Sequence, residues 1–171
     1  MHVFLTGERG IGKSRAAASA AALLGRLCLG FRTAFLAEDH RASALYLFPA
    51  NADCQSEEAR VAAVWSDGRL TASAGAFDVY GAALLREARG HPEALILMDE
   101  CGHVERNALA FQREILACLD GETPVLGVLR KGQPWHAMIR EHPNVRVLEV
   151  TARNRDRLPR QIAELIGGRR P

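Results

Sequence analysis

The first residues of this chain combine glycines, a lysine and a serine at a spacing that suits phosphate binding. The segment Gly7–Ser14 reads GERGIGKS and satisfies the pattern G-x-x-x-x-G-K-[S/T] of a phosphate-binding loop, or P-loop. Its glycines allow a tight backbone curve whose N–H groups face an anion at the start of a helix. Lys13 would neutralise charge on the β- and γ-phosphates of a nucleotide, and the Ser14 hydroxyl would bind Mg²⁺. The candidate nucleotide-binding residues of this segment are Gly7, Glu8, Arg9, Gly10, Ile11, Gly12, Lys13, Ser14 and Arg15.

Two adjacent acids follow an apolar run later in the chain. Leu95–Glu100 reads LILMDE, a buried strand that would deliver Asp99 to the carboxyl edge of a sheet, where open α/β folds bind ligands. Asp99 would hold the metal together with Ser14, and Glu100 would be the general base for a water that attacks the γ-phosphate. Because binding alone needs no base, the pair favours hydrolysis. The alternative is the solvated acidic end of a strand.

Two further pairs of residues follow apolar runs. Arg130 and Lys131 come directly after the run PVLGVL, and a cation there could stabilise charge on the transferring phosphoryl group. We take Arg130 as a candidate catalytic residue beside Glu100 and Lys13; the alternative is a solvated charge pair. Asn154 and Arg155 lie in TARNRDRLP, where the Asn154 amide and the Asp156 carboxylate could read a nucleobase edge and the Arg155 guanidinium could stack on it. The alternative for these two residues is a helix cap with exposed arginines.

Apolar runs and helical patterns alternate along the chain. The predicted strands are His2–Thr6, Phe31–Ala37, Ala44–Pro49, Arg60–Trp65, Arg69–Ser73, Ala94–Met98, Pro124–Leu129 and Val145–Val150. The predicted helices are Ile11–Cys28, Phe77–Ala88, Val104–Leu119, Trp135–Glu141 and Leu158–Ile166. Asp67-Gly68 predicts a hairpin turn between two of the strands. The alternation predicts an α/β fold: a mostly parallel sheet between two helix layers, with an antiparallel hairpin addition.

Composition limits the classes of protein to which the chain can belong. Its 171 residues favour a single domain over 1–171, with 167–171 as a frayed tail. Hydrophobic residues make up 48% and charged residues 25%, as in globular proteins, and the net charge of +2 gives no indication of DNA binding. No run approaches the roughly 20 apolar residues of a membrane span, and no secretory signal is visible. We therefore expect a cytoplasmic protein without a membrane partner.

Two blocks of the chain resemble a known family. LMDECGHVERNALAFQREILACLDGETPVLGVLRKG and VTARNRD are similar to the nucleoside-triphosphatases first known from thermophiles, also called cancer-related nucleoside-triphosphatases. That family has an Asp-Glu-x-Gly-x-x-Glu signature, a helix with a Phe, a PVL strand and a Thr-x-x-Asn-Arg-Asp motif. The positions that match are Asp99, Glu100, Gly102, Glu105, Phe111, Pro124–Leu126, Thr151, Asn154, Arg155 and Asp156.

The resemblance implies a RecA-like, three-layer P-loop NTPase fold in which the Walker B strand is not adjacent to the P-loop strand. It also implies slow, Mg²⁺-dependent hydrolysis of ATP, GTP and other nucleoside triphosphates to diphosphate and phosphate. The loop departs from the family at Glu8 and Arg9, where small residues or proline are usual, and Ser14 replaces a threonine. Glu8 brings a carboxylate near the phosphates, which would weaken nucleotide binding unless Arg9 offsets it.

Two other functions share the same loop. A nucleoside or nucleotide kinase would pass the phosphoryl group to an acceptor, although the sequence shows no acceptor pocket and arginines suited to a lid occur only late in the chain. A nucleotide-gated adaptor would use its triphosphate state to order a surface for a protein partner, for which 44–73 is the candidate segment. The sequence leaves base preference and oligomeric state open, including whether a neighbouring subunit supplies an arginine.

Overall fold

The computed structural model describes residues 1–38, 42–66, 68–73 and 75–168, and their core is one eight-stranded sheet. The strands are β1 (His2–Thr6), β2 (Cys28–Glu38), β3 (Ala42–Pro49), β4 (Arg60–Ser66), β5 (Arg69–Ala72), β6 (Leu95–Cys101), β7 (Val125–Leu129) and β8 (Val145–Glu149). Their order across the sheet is β5-β4-β3-β2-β6-β7-β1-β8. Strand β7 therefore separates β1, which leads into the P-loop, from β6, which carries the two acids, as the sequence predicted.

Five of the strands are parallel, and alternate side chains of the central ones enter opposite cores. In β1, Val3 and Leu5 belong to one buried cluster and Phe4 belongs to the other. Strand β6 divides in the same way, with Leu97 on one face and Met98 on the other. Apolar runs without polar alternation are expected of strands that are covered on both faces. Since parallel strands end at the same edge, the P-loop and the acids meet there.

Helices cover both faces of the sheet and give it three layers. They are α1 (Lys13–Leu24), α2 (Ala82–Arg89), α3 (Leu109–Leu119), α4 (Ala137–Arg140) and α5 (Leu158–Gly167), with a π-helical turn Ala76–Gly81 and 3₁₀ turns Val104–Asn107 and Pro134–His136. Helices α1 and α5 pack against each other on one face, and α2 packs against α3 on the other. Within the described ranges, no helix is long and apolar enough to cross a bilayer.

The antiparallel part of the sheet is larger than a hairpin addition. Strand β2 is parallel to β6 on one side and antiparallel to β3 on the other, and β3, β4 and β5 continue as an antiparallel meander. Strands β4 and β5 form the predicted hairpin; Asp67 of its turn lies outside the described residues. The difference arises because β2 extends over 11 residues, which is long enough for β3 to pair along most of it.

Several element boundaries differ from the prediction for local reasons. The first helix ends at Leu24, not at Cys28, because Gly25 closes it in a left-handed conformation (φ 61°); Cys28 instead begins β2. The helix predicted from Val104 is interrupted at Ala108, so a 3₁₀ turn precedes α3. Strand β6 continues past Met98 through both acids to Cys101. Gly167, predicted to be in the tail, is the last residue of α5, and residues 169–171 lie outside the described part of the chain.

We expect Gly127→Ala to destabilise the fold. Gly127 pairs with Phe4 in the sheet, and a Cβ at position 127 would overlap the fully buried Phe4 ring. Overpacking of this kind costs about 1–3 kcal/mol of the free energy of unfolding, which urea denaturation measures. Gly121→Ala is the control, because its Cβ would come no closer than 3.4 Å to the atoms around it. Equal stability of the two variants would contradict the packing at Gly127.

Candidate active site

The P-loop joins the end of β1 to the start of α1 and has the backbone shape that its glycines allow. Gly10 has a φ of 76°, and Gly12, the N-cap of α1, has a φ of 104°. Residues with a β-carbon rarely adopt this left-handed region, so glycine is required at these two turns. The loop therefore ends with the positive pole of α1 directed at the site.

The Lys13 side chain folds back across the loop that precedes it. Its Nζ donates hydrogen bonds to the carbonyl oxygen of Gly7 at 3.1 Å and to that of Glu8 at 3.0 Å. Only 8% of the residue is exposed, so its ammonium group has little freedom to leave the loop. The structure thus holds a positive charge beside the N–H groups that the sequence assigned to phosphate binding.

A hydrogen bond joins the start of α1 to the end of β6. The Ser14 hydroxyl donates to Oδ1 of Asp99 at 2.8 Å, although the two residues are far apart in the chain. Asp99 is 6% exposed; burial raises the pKa of its carboxyl group, while the Ser14 hydroxyl and the charges of Arg32 and Lys13 act in the opposite direction. The arrangement places one hydroxyl oxygen and one carboxylate side by side.

That pair of oxygen ligands fits Mg²⁺. Magnesium usually takes one or two protein ligands of this kind and completes its shell with water and substrate phosphate oxygens. Within the described ranges, no group of three or more His, Cys, Asp or Glu side chains could hold a metal by itself. A magnesium ion held by Ser14 and Asp99 would therefore need the phosphates of a nucleotide to complete its ligands.

Glu100 is half-buried and lies between the P-loop and strand β2. Its backbone N–H donates to the Thr33 hydroxyl at 3.3 Å, which fixes the end of β6 against β2. Burial raises the pKa of the Glu100 carboxyl group, the charge of Lys13 lowers it, and Asp99 raises it further. A carboxylate with a raised pKa is a better proton acceptor, as a general base requires.

Most predicted site residues line one cavity of about 610 Å³, called the phosphate cavity below. Its lining includes nearly the whole P-loop, one of the two acids and the two cations that follow β7. These residues are Gly7, Glu8, Arg9, Gly10, Gly12, Lys13, Ser14, Arg15, Glu100, Arg130 and Lys131. Ile11 does not line it, because its side chain packs against the apolar cluster between α1 and α5. The structure thus brings together residues that the sequence assigned separately to binding and catalysis.

The cations after β7 have defined partners. Arg130 Nη1 lies 3.3 Å from His103 Nδ1, and burial together with the charge of Arg130 lowers the pKa of that imidazole, so the neutral ring accepts the hydrogen bond. Lys131 Nζ lies 2.8 Å from Glu8 Oε1 and 2.7 Å from Glu149 Oε1. Lys131 lowers the pKa of Glu8, first by this hydrogen bond and then by its charge. The residue that offsets Glu8 is therefore Lys131, not Arg9.

Asn154 and Arg155 lie outside the phosphate cavity. The Asn154 side chain accepts a hydrogen bond from Thr151 N–H and donates one to the Glu149 carbonyl oxygen, both at 2.8 Å. These bonds fix the loop after β8. Arg155 is exposed, with its Nε 3.9 Å from Asp156 Oδ1. The role of Asn154 and Arg155 in reading a base stays a prediction.

The sequence assigned no role to Glu105, which is buried close to Asp99 and Glu100 in the structure. Glu105 is 1% exposed and accepts a hydrogen bond from the Gly102 N–H at 2.9 Å, while Trp135 Nε1 donates to the Gly102 carbonyl oxygen. Burial raises the pKa of Glu105 to about 7. The family signature had marked the position but not its function. Thr33, which holds Glu100, carried no signal in the sequence.

Comparison with known proteins identifies the family and the fold of this chain. A family profile described as NTPase matches residues 2–163. The chain belongs to this NTPase family. Nucleoside-triphosphatase THEP1 of Methanosarcina barkeri is 36% identical over 69 residues, so the match spans 40% of this chain and 40% of that protein. The crystal structure of THEP1 from the hyperthermophile Aquifex aeolicus covers 97% of this chain and 99% of its own at a TM-score of 0.76 and 21% identity. The predicted family and P-loop NTPase fold are confirmed.

We expect Glu105→Gln to change how stability depends on pH. Because the folded-state pKa of about 7 exceeds the ordinary 4.5, the stability contributed by protonated Glu105 is complete below about pH 4.5 and is lost as the pH rises to about 7. The parent should lose up to about 3 kcal/mol relative to the variant between about pH 5 and about pH 8. Urea unfolding at several pH values measures this, with the exposed Glu122→Gln as control. Parallel pH curves for parent and Glu105→Gln would contradict the assignment.

Proposed function

We propose that this NTPase hydrolyses nucleoside triphosphates, ATP and GTP among them, to diphosphate and phosphate with Mg²⁺ as cofactor. The observation that supports the proposal is the Ser14–Asp99 hydrogen bond, which brings together two oxygen groups suited to Mg²⁺ next to Glu100. Ser14 and Glu100 also line the phosphate cavity together with Lys13. A cavity that only bound nucleotide would not need a carboxylate with a raised pKa at this point.

Binding rests on the loop and its lysine. The backbone N–H groups of Gly7–Ser14 and the positive end of α1 would receive the β-phosphate, and Lys13 would exchange its loop carbonyls for phosphate oxygens. The Lys131 ammonium, paired with Glu8, keeps the loop carboxylate from repelling the triphosphate. Since these groups address only phosphates, the proposal covers several bases.

Magnesium would be held by the Ser14 hydroxyl and the Asp99 carboxylate. When bound, it would supply positive charge to the β- and γ-phosphate oxygens. Glu100 would orient a water molecule and accept its proton as the water oxygen bonds to the γ-phosphorus and the bond to the β-phosphate oxygen breaks. Arg130, which lines the same cavity, would stabilise charge on the transferring group. The turnover that the family resemblance implies is slow.

Phosphate release from ATP and from GTP, with Mg²⁺ and no other substrate, separates this proposal from the two alternatives. A hydrolase releases phosphate under these conditions, whereas a kinase forms product only after an acceptor is added. A nucleotide-gated adaptor would bind a protein through 44–73 only in its triphosphate state. Identical partners for the ATP-loaded and diphosphate-loaded protein would exclude that switch.

We expect Glu100→Gln to impair the hydrolysis step and Lys13→Ala to impair nucleotide binding. Glu100→Gln keeps the size of the side chain but removes the base, so it should bind a fluorescent nucleotide normally and lose at least about a hundredfold in kcat. Lys13→Ala should instead weaken nucleotide binding, because it removes the buried cation of the loop. EDTA should abolish phosphate release by the parent. Turnover at the parental rate in Glu100→Gln would show that this residue is not the base.

We expect Lys131→Ala to raise KM for ATP several-fold with less effect on kcat. Without Lys131, the Glu8 carboxylate faces the phosphates uncompensated. Glu8→Ala in the same background should restore KM, and steady-state phosphate release measures both. Arg146→Ala, which removes an exposed cation of β8 away from the phosphate cavity, is the control. A KM that Lys131→Ala leaves unchanged would contradict this pairing.

A further inference from the structure

A second cavity, of about 210 Å³, adjoins the phosphate cavity and is called the side cavity here. The two have six lining residues in common: Ser14, Phe35, Leu70, Glu100, His103 and Arg130. The side cavity then continues to Thr33, Leu45 and Val104, none of which lines the phosphate cavity. Glu100 therefore lines two connected cavities. Most of the P-loop lines the phosphate cavity, whereas Ser14 is the P-loop residue that also lines the side cavity.

The side cavity begins where the γ-phosphate would end. Ser14 and Asp99, the proposed metal ligands, both line it, and Glu100 stands beside them. A molecule in this cavity would therefore approach the γ-phosphate from the side of Glu100, which is the position of the nucleophile in phosphoryl transfer. The elements on this side are β2, β3 and β5 and the 3₁₀ turn after β6.

One part of the wall of the side cavity is apolar, while Ser14, Asp99, Glu100 and Glu105 belong to its polar part. Phe35, Leu45, Leu70 and Val104 supply apolar surface from β2, β3, β5 and the 3₁₀ turn. Phe35 is 52% exposed, so part of its ring is open to the cavity and to solvent. Small-molecule sites combine such surfaces with a few polar groups, which Thr33 and Arg130 provide here.

A third cavity, of about 320 Å³, continues the side cavity away from the P-loop, and two arginines lie at its far end. It has Leu70, His103 and Val104 in common with the side cavity and is closed by Arg69 and Arg106. Both arginines are exposed, and neither guanidinium group has an ion pair or hydrogen bond with any described residue. Two unpaired guanidinium groups at the end of an apolar passage suit a carboxylate or phosphate group.

From this succession of surfaces we propose that the side cavity binds an alcohol that carries an anionic group, as an alternative phosphoryl acceptor to water. The anion would meet Arg69 and Arg106, the hydrocarbon part would lie against Phe35 and Leu70, and the hydroxyl group would reach Glu100. This inference rests on the proposed function, because it uses the same triphosphate and the same base.

The transfer balances without a further reactant. The alcohol oxygen forms a bond to the γ-phosphorus, the bond from that phosphorus to the β-phosphate oxygen breaks, and the nucleoside diphosphate leaves. Glu100 accepts the hydroxyl proton and later releases it to solvent. The products are a phosphate monoester and a diphosphate, so each ester formed replaces one inorganic phosphate.

The test uses 4-(hydroxymethyl)benzoate, which has a primary hydroxyl, a ring and a carboxylate in line, and 4-methylbenzyl alcohol, which lacks the carboxylate. Each is incubated at millimolar concentration with the full-length protein, ATP and Mg²⁺, and ³¹P NMR separates the benzyl phosphate ester from inorganic phosphate. We expect an ester from the carboxylate probe, at a rate about tenfold above that from the neutral probe. Inorganic phosphate alone with both probes would overturn the proposal, as would a carboxylate probe that slows phosphate release without being phosphorylated.

The double variant Arg69→Gln and Arg106→Gln isolates the proposed anion site. It should lower ester formation from the carboxylate probe about tenfold and leave phosphate release from ATP alone unchanged, since neither residue lines the phosphate cavity. Ester formation that the variant does not reduce would overturn the anion site. Phosphate release without probe tests the proposed function separately: if it occurs but no ester forms, only this inference fails, and if an ester forms without it, only the hydrolysis fails.

Discussion

The contact between the Ser14 hydroxyl and the Asp99 carboxylate is the interaction on which the site depends. It ties the first turn of α1, which carries the P-loop charge, to the end of β6, which carries both acids. Strand β7 lies between the two strands involved, so no backbone ladder could make this connection directly. The parallel strands bring the P-loop and the acids to one edge of the sheet, and this side-chain hydrogen bond links them there.

Burial gives the site its chemistry, and neighbouring cations make that burial tolerable. Asp99 is nearly inaccessible and Glu100 is half-buried, which raises the pKa of both carboxyl groups. Lys13 opposes the rise at both positions, Arg32 opposes it at Asp99, and Arg130 opposes it at Glu100. The balance keeps two adjacent acids at a partly buried edge of the sheet, with raised pKa values of the kind that the proposed proton transfer needs.

The antiparallel meander gives one wall of the site a character that the parallel core lacks. Strands β3 and β5 of the meander bring Leu45 and Leu70 next to Glu100, beside Phe35 of the parallel strand β2. In the function proposed above, the loop would hold the phosphates and this wall would face the attacking group. That surface combines apolar side chains with Arg69 and Arg106, whose guanidinium groups have no ion pair among the described residues.

Short-range pattern was enough to predict the P-loop, the acidic strand end, the alternation of strands and helices, and the family, because each depends on residues close together in the chain. Glycine at positions 10 and 12 and the apolar runs act through local backbone freedom and burial, which a sequence displays directly. Only the tertiary structure decided that Lys131 neutralises Glu8, that the Asn154 amide is used by its own loop, and that a second cavity opens behind Glu100. Charge pairing and cavity walls depend on which distant strands become neighbours, and no local pattern encodes that order.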